Sequence, residues 1–388
     1  MSTLTDIELL ARLVSFDTTS ATVQPTLPLG DMVCNYLDVP GVHIERFDCG
    51  SDQENIYLST GPTCNRHEGL LLSGHVDCVP ALEPEWRSDP FELLVEDDRL
   101  IGRGACDMKG FVAIALNRLR EHALNGKLRE PLAVLLSCNE EIGTVGAGQF
   151  VEQWGDRPIP RRVVVGEPTS LTAIRGHKGH ASFTFVVGGR GGHSGFPSSG
   201  VNAIEEVIPV LEGLRRLRLK LVEERAEWST LFPDVPHAVV SIASLEAGTA
   251  INVIPETCTL RVGIRMLPGQ AVDDLYTRIC EYVPGARMVE GAKVAKAKEG
   301  DVLFACTNCT PSFGISVDEP FLTEVQRLAV DSPDTGANYG TDAGRLLPLG
   351  CAPVVCGPGD ISVAHKPNEW MPLEEFRKTP KLLDALIC

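Results

Sequence analysis

Three short apolar runs, each ending in a histidine or an acid, constrain this chain more than any other feature. Residues 70–73 (LLLS) run into Gly74, His75 and Asp77; residues 131–138 (PLAVLLSC) run into Glu140 and Glu141; residues 161–166 (RRVVVG) run into Glu167. Apolar runs of this length, bounded by glycine and proline, read as buried parallel strands. Parallel strands need helical crossovers on both faces, so the chain reads as α/β. In open α/β sheets ligands bind beyond the carboxyl ends of the strands, which is where these side chains fall. His75 and Asp77 are one residue apart, so an extended segment turns both to one face. A solvated turn would account for any one of these strand ends; the repetition points to a built site.

Two further candidates belong to the same pattern. Apolar residues Met108, Phe111, Val112, Ala115 and Leu119 recur at helical spacing, placing Asp107 at a helix start. There it is either an N-cap, a common use of Asp, or a metal-binding carboxylate. His365 lies in a polar loop after a short strand at 353–356. Adjacent acids such as Glu140 and Glu141 raise each other's pKa unless a cation or proton intervenes.

The middle of the chain has a different character. Residues 181–187 (ASFTFVV) alternate as a half-exposed strand does, a helix follows from about 202 to 220, strands follow at 238–245 and 257–265, and a second helix covers 271–282. This predicts an inserted α+β domain of ferredoxin-like type at 179–284. It would interrupt a metal-binding domain made of residues 1–178 and 285–388, with a mixed, largely parallel central sheet flanked by helices. At 388 residues the chain is long enough for two cores.

Composition excludes some partners. A formal charge of −17 argues against nucleic acid or an anionic membrane as a partner. No apolar run approaches the ~18 residues of a membrane span. The start, MSTLTDIELLARL, lacks the basic and apolar regions of a signal peptide and reads as a first helix. The expectation is a cytoplasmic protein whose 13 cysteines are reduced thiols. Cys306 and Cys309 form a C-x-x-C without a second pair, a weak metal signal.

Collected from strand ends, the candidate ligands are His75, Asp107, Glu141, Glu167 and His365. Two imidazoles and three carboxylates suit two divalent ions better than one, with a shared carboxylate between them. Mixed nitrogen and oxygen donors favour zinc, with cobalt or manganese as substitutes.

At these residues the chain resembles the zinc-dependent aminoacylase and deacetylase superfamily. The segments that carry the resemblance are SGHVDCVP, GRGACDMKGF, NEEIGTVGA, GEPTS, RGHKGH, GGHSGFPSSGVNAIE, INVIP, IRMLPG, NYGTDAG and GPGDISVAHKPNEW. They span nearly the whole chain in the family's order. The resemblance implies that Asp107 bridges two metal ions, His75 and Glu167 holding one and Glu141 and His365 the other. It makes Asp77 the carboxylate behind His75, Glu140 the general base and His193 an oxyanion donor reaching across a homodimer formed through the inserted domain. Asn252 and Arg265 become contacts to a substrate α-carboxylate, although an amide in a turn and an arginine on a strand also have structural uses. Thr341, with Gly340 and Asp342, is expected to line the side-chain pocket. The implied reaction is hydrolysis of a small N-acyl amino acid, with acetylated ornithine of arginine biosynthesis as the expected substrate. The rivals are acetylcitrulline, succinyl-diaminopimelate, a broad aminoacylase, a metallo-carboxypeptidase or dipeptidase, and an inactive binding protein on the same scaffold.

Overall fold

A computed structural model describes residues 3–20, 24–60, 68–126, 130–291, 294, 296–330 and 333–387. The chain divides into two compact units, one formed by Met1–Gly176, Ile315–Thr335 and Thr341–Cys388, the other by His177–Gly314 and Gly336–Gly340. In chain order the principal strands are β1 (Val42–Gly50), β2 (Gln53–Thr60), β3 (Leu70–His75), β4 (Leu132–Ser137), β5 (Arg162–Val165), β6 (Gly179–Gly188), β7 (Val239–Ala247), β8 (Thr257–Met266), β9 (Ala286–Met288), β10 (Val302–Thr310) and β11 (Ala352–Val355). The main helices are α1 (Gly110–Asn125), α2 (Val145–Trp154), α3 (Ile208–Glu223), α4 (Val272–Tyr282) and α5 (Leu373–Ile387).

The first unit is built on a six-stranded sheet of order β1-β2-β4-β3-β5-β11. β4, β3, β5 and β11 pair in parallel, while β2 runs antiparallel to β1 and β4. Every residue of β3 and β4 is buried, as expected for strands covered on both faces. Their register sets His75 opposite Ser137 and Ser73 opposite Val165. The chain therefore leaves β3, β4 and β5 at the same edge, carrying His75, Glu140 and Glu167 with it. Glycine permits the packing there. A Cβ at Gly166 would lie 2.0 Å from the Phe111 ring, and one at Gly74 would lie 2.9 Å from Val112. Helix α1 can thus settle directly over the strand ends, and each large apolar side chain it buries contributes about 1.5–3 kcal/mol.

The second unit has a five-stranded sheet of order β7-β8-β6-β10-β9, antiparallel except for the β9/β10 pair. Alternate residues of β6 and β8, among them Phe183, Phe185, Leu260, Val262 and Ile264, form one core with Leu214, Leu217 and Leu221 of α3 and Leu275 and Ile279 of α4. The expected boundary at residue 284 is moved by the sheet. β10 pairs along β6 from Val302↔Val187 to Thr310↔His180, so 285–314 belongs to the second unit and the chain re-enters the first at Ile315. Short, mixed-polarity segments such as VLFACTNCT carry little local signal of the sheet they will join. No helix among the described residues is long and apolar enough to cross a membrane.

Candidate metal centre

Two turns and one loop bring the ligand candidates of the first unit together. After β4, Asn139 takes a left-handed conformation (φ 53°), which Asn tolerates better than most residues. The turn that follows is pinned from below by Asp77, whose Oδ1 accepts the Glu140 N–H at 3.0 Å and whose Oδ2 accepts the Glu141 N–H at 3.1 Å. His75 presents Nδ1 to the main-chain oxygen of Asp77 at 3.0 Å, with the Asp77 carboxylate 3.6 Å away. Its Nε2 is thereby directed at Oδ1 of Asp107, 3.0 Å distant.

Asp107 is not a helix cap. It sits in the irregular turn Ala105–Lys109, with φ −121° and ψ 94° and a cis peptide bond to Met108. Helix α1 begins only at Gly110, without a side-chain cap. The two carboxylate oxygens of Asp107 diverge: Oδ1 faces His75, and Oδ2 lies 3.1 Å from Nε2 of His365. His365 Nε2 is also 3.1 Å from the Glu141 carboxylate. Its loop holds His365 at φ 59°. One carboxylate thus stands between two imidazoles, each on its own oxygen. Glu167 follows β5 and is buried; its charge acts on His75 and Asp107.

The electrostatics are those of acids and imidazoles buried close together. Burial pushes Glu141 up to about 7, with the neighbouring Asp107 charge adding to the effect. Burial likewise drives Glu140 and Glu167 well above the usual carboxylate range. Asp107 goes the other way: burial opposes its charge, but the two imidazoles hold it far below normal. His365 is raised to about 10, chiefly by its hydrogen bonds to Asp107 and Glu141. Burial is the largest single influence on His75 and disfavours its charge, yet the hydrogen bond to Asp107 and the charges of Asp107, Glu167 and Asp77 together outweigh it and raise the imidazole.

The donor set fits divalent cations. A metal about 2.0–2.2 Å from each nitrogen or oxygen donor leaves its donors about 3–3.5 Å apart. The contacts of 3.0–3.1 Å made by His75, Asp107, Glu141 and His365 match that spacing. Ligand atoms of His75, Asp107 and Glu141 all lie within 4.8 Å of one another.

The other expected residues are placed differently. Thr341 is buried, and its Oγ1 accepts the Ala343 N–H at 3.1 Å, a local turn bond. The neighbouring Asp342 accepts the Ser137 hydroxyl at 2.5 Å, and burial raises it to about 6. His193, Asn252 and Arg265 all belong to the second unit. His193 is exposed, and its Nδ1 accepts the Gly195 N–H at 3.0 Å. Asn252 is exposed, and its main-chain oxygen accepts the Ser194 N–H. Arg265 is paired across the sheet with His180, whose pKa falls to about 4 through burial and then the arginine's charge. Sequence reasoning missed Glu369, a fully buried acid in the His365 loop whose pKa is raised by burial. A glutamate in the polar stretch KPNEW carries no periodic signal that separates it from a solvated one.

Residues 71–388 match the family model described as peptidase family M20/M25/M40. Acetylornithine deacetylase of Myxococcus xanthus is 34% identical over 384 residues, covering 98% of this chain and 96% of that protein. The acetylornithine deacetylase of Klebsiella pneumoniae (strain 342) is also 34% identical, over 86% of this chain and 82% of its own length. Among solved structures, an M20 family metallo-carboxypeptidase from Sulfolobus solfataricus superposes with a TM-score of 0.78 at 17% identity, covering 99% of both chains. A dinuclear metal-binding M20 peptidase from Bacillus subtilis gives 0.64 at 16% identity, covering 98% of this chain and 96% of that one. The chain belongs to the M20/M25/M40 peptidase family and is a metal-dependent hydrolase acting on amide bonds.

Proposed function

We propose that this protein hydrolyses N-acetyl-L-ornithine to L-ornithine and acetate, a step of arginine biosynthesis, in the cytoplasm and as a homodimer joined through the second unit. The divergence of the two Asp107 oxygens toward different imidazoles carries the catalytic part of this reading. The 34% identity to an acetylornithine deacetylase along nearly the whole chain supports the substrate.

His75 and Glu167 would hold one ion, Glu141 and His365 the other, and Asp107 both. Zinc is the expected metal and cobalt an expected substitute. Such a pair, when bound, polarises the acetyl carbonyl and brings the pKa of water toward neutrality. Glu140 then takes the proton of the attacking water and returns it to the departing amine. It suits that task because its N–H is fixed by Asp77 while its carboxylate, already disposed to hold a proton by burial, stays free of ligand duty. Asp77 also keeps the His75 ring directed at Asp107 by holding its own segment in place. His193 would donate to the oxyanion: with Nδ1 accepting from Gly195, the neutral ring carries its proton on Nε2. Arg265 and Asn252 would take the substrate carboxylate, the arginine through its planar fork, and Thr341 would border the side-chain pocket.

Steady-state kinetics on N-acetyl-L-ornithine test the assignment, run beside N-acetylcitrulline, N-succinyl-diaminopimelate and a dipeptide panel, with metal content measured on the same sample. The highest kcat/KM is expected on acetylornithine, lost on chelation and restored by zinc. A higher value on dipeptides would make the protein a dipeptidase instead.

A further inference from the structure

Asp107 lies in a segment whose backbone no regular element holds. Gly104 takes φ 77°, Asp107 and Met108 have non-helical angles, and α1 starts beyond them. Backbone N–H groups buried in such a turn need acceptors from elsewhere. Glu369 supplies them. Its Oε1 accepts the N–H of Cys106 at 2.9 Å and the N–H of Asp107 itself at 3.0 Å. Its main-chain oxygen accepts the Gly102 N–H at 3.0 Å, so one residue ties the loop at both ends.

The other oxygen of Glu369 is committed to Arg103. Nη1 of Arg103 donates to Oε2 at 2.7 Å, and Nη2 donates to the Pro80 oxygen at 2.9 Å. Arg103 is fully buried, with its guanidinium 5.2 Å over the Trp86 ring and a longer contact of 3.6 Å to Glu83. Arg103 thus fixes the rotamer of Glu369, and Glu369 fixes the backbone of Asp107. Glu369 lies in the same loop as His365, four residues after it.

We propose that Glu369, locked by Arg103, is a positioning residue that holds the Asp107 backbone so that its two carboxylate oxygens diverge toward the two metal positions. It neither ligates metal nor touches substrate. The proposal rests on Asp107 being the shared ligand. It extends that reading to the residues that keep the shared ligand in place.

Zinc affinity, measured on the full-length metal-free protein by competition with a chelating dye, tests it without recourse to turnover. Glu369→Met has similar bulk and no acceptor oxygen, and is expected to bind zinc about 10–100-fold more weakly, the usual cost of losing a group that orients a ligand. Glu369→Gln keeps an acceptor oxygen for the two N–H groups, turns its amide NH2 toward the Arg103 guanidinium and is expected to recover part of that loss; both variants remove the charge facing Arg103. Equal affinity in the parent and Glu369→Met overturns the proposal, and so does an equal fall in Met and Gln, which would indicate a general role of the ion pair. Should the Met variant fail to fold, Glu369→Asp, whose shorter arm withdraws the oxygen from both N–H groups, takes its place with the same expected loss. Asp107→Asn is measured alongside. If it binds zinc as tightly as the parent, the assignment of Asp107 as ligand is what fails; if it loses zinc while Glu369→Met does not, the positioning role alone is refuted.

Discussion

Replacing Asp77 strikes the point where backbone and ligands meet. Its two oxygens take the N–H groups of Glu140 and Glu141 in a fully buried place. Hydrogen bonds to a charged group contribute about 1.5–3 kcal/mol each, so the two together give about 3–6 kcal/mol. Burial, which raises the pKa of Asp77, offsets part of this. Asp77→Ala is therefore expected to destabilise the metal-free protein by about 3 kcal/mol, the low end of that range. Asp77→Asn retains one carbonyl oxygen and is expected to lose about half as much. His75 is partly insulated, because the main-chain oxygen of Asp77 remains 3.0 Å from its Nδ1. Denaturant titration at neutral pH without metal, followed by zinc affinity of the same samples, gives the order parent, Asn, Ala in both. An alanine variant unfolding with the parent's midpoint would show that the two bonds contribute nothing. Asn and Ala falling together would assign the effect to the charge facing His75 rather than to the turn.

Glu140→Gln is expected to lower kcat by about 10²–10⁴ while zinc content stays at the parent value; a near-normal rate would place the base elsewhere. His193→Ala is expected to lower kcat by about 10²–10³ with an unchanged melting temperature, since the side chain is exposed; an unchanged kcat would remove it from the mechanism. Glu319 is held below its normal pKa by its paired hydrogen bonds to Arg161, at 2.7 Å each. A depressed folded-state pKa gives stability that is present above the unfolded value of about 4.3 and is lost as pH falls through the folded value. Glu319→Gln should therefore be less stable than the parent at pH 7, with the gap closing in acid; a gap of constant size would refute the ion-pair account.

Much of the first unit was legible because its signals are local. The runs at 70–73, 131–138 and 161–166 became β3, β4 and β5 within a residue or two of their expected limits. An all-apolar strand flanked by glycine can be read without its neighbours, since burial on both faces leaves no polar position to interpret. The second unit was read by alternation until the alternation weakened. VLFACTNCT carries Cys306, Thr307, Asn308 and Cys309 with a register shift between Cys306 and Asn308, so the period of two is broken and the sequence alone gives no strand in this part of 285–388. Asp107 was readable as either cap or ligand, because both uses place an acid ahead of an apolar helical pattern. Only the non-helical turn and the start of α1 at Gly110 show that it is not the cap.

Composition and order alone determined an α/β chain with acids and imidazoles at the ends of its parallel strands, because strand burial and residue type are written into adjacent positions. Tertiary structure alone decided what those groups touch: that Asp77 serves two N–H groups as well as His75, that Asp107 divides its oxygens between His75 and His365, and that Glu369 and Arg103 stand behind it. Three of these contacts, those of Asp77 with Glu140 and Glu141 and of Glu369 with Asp107, are made to main-chain groups, which every residue carries alike. Only folding selects which of them an acid will meet.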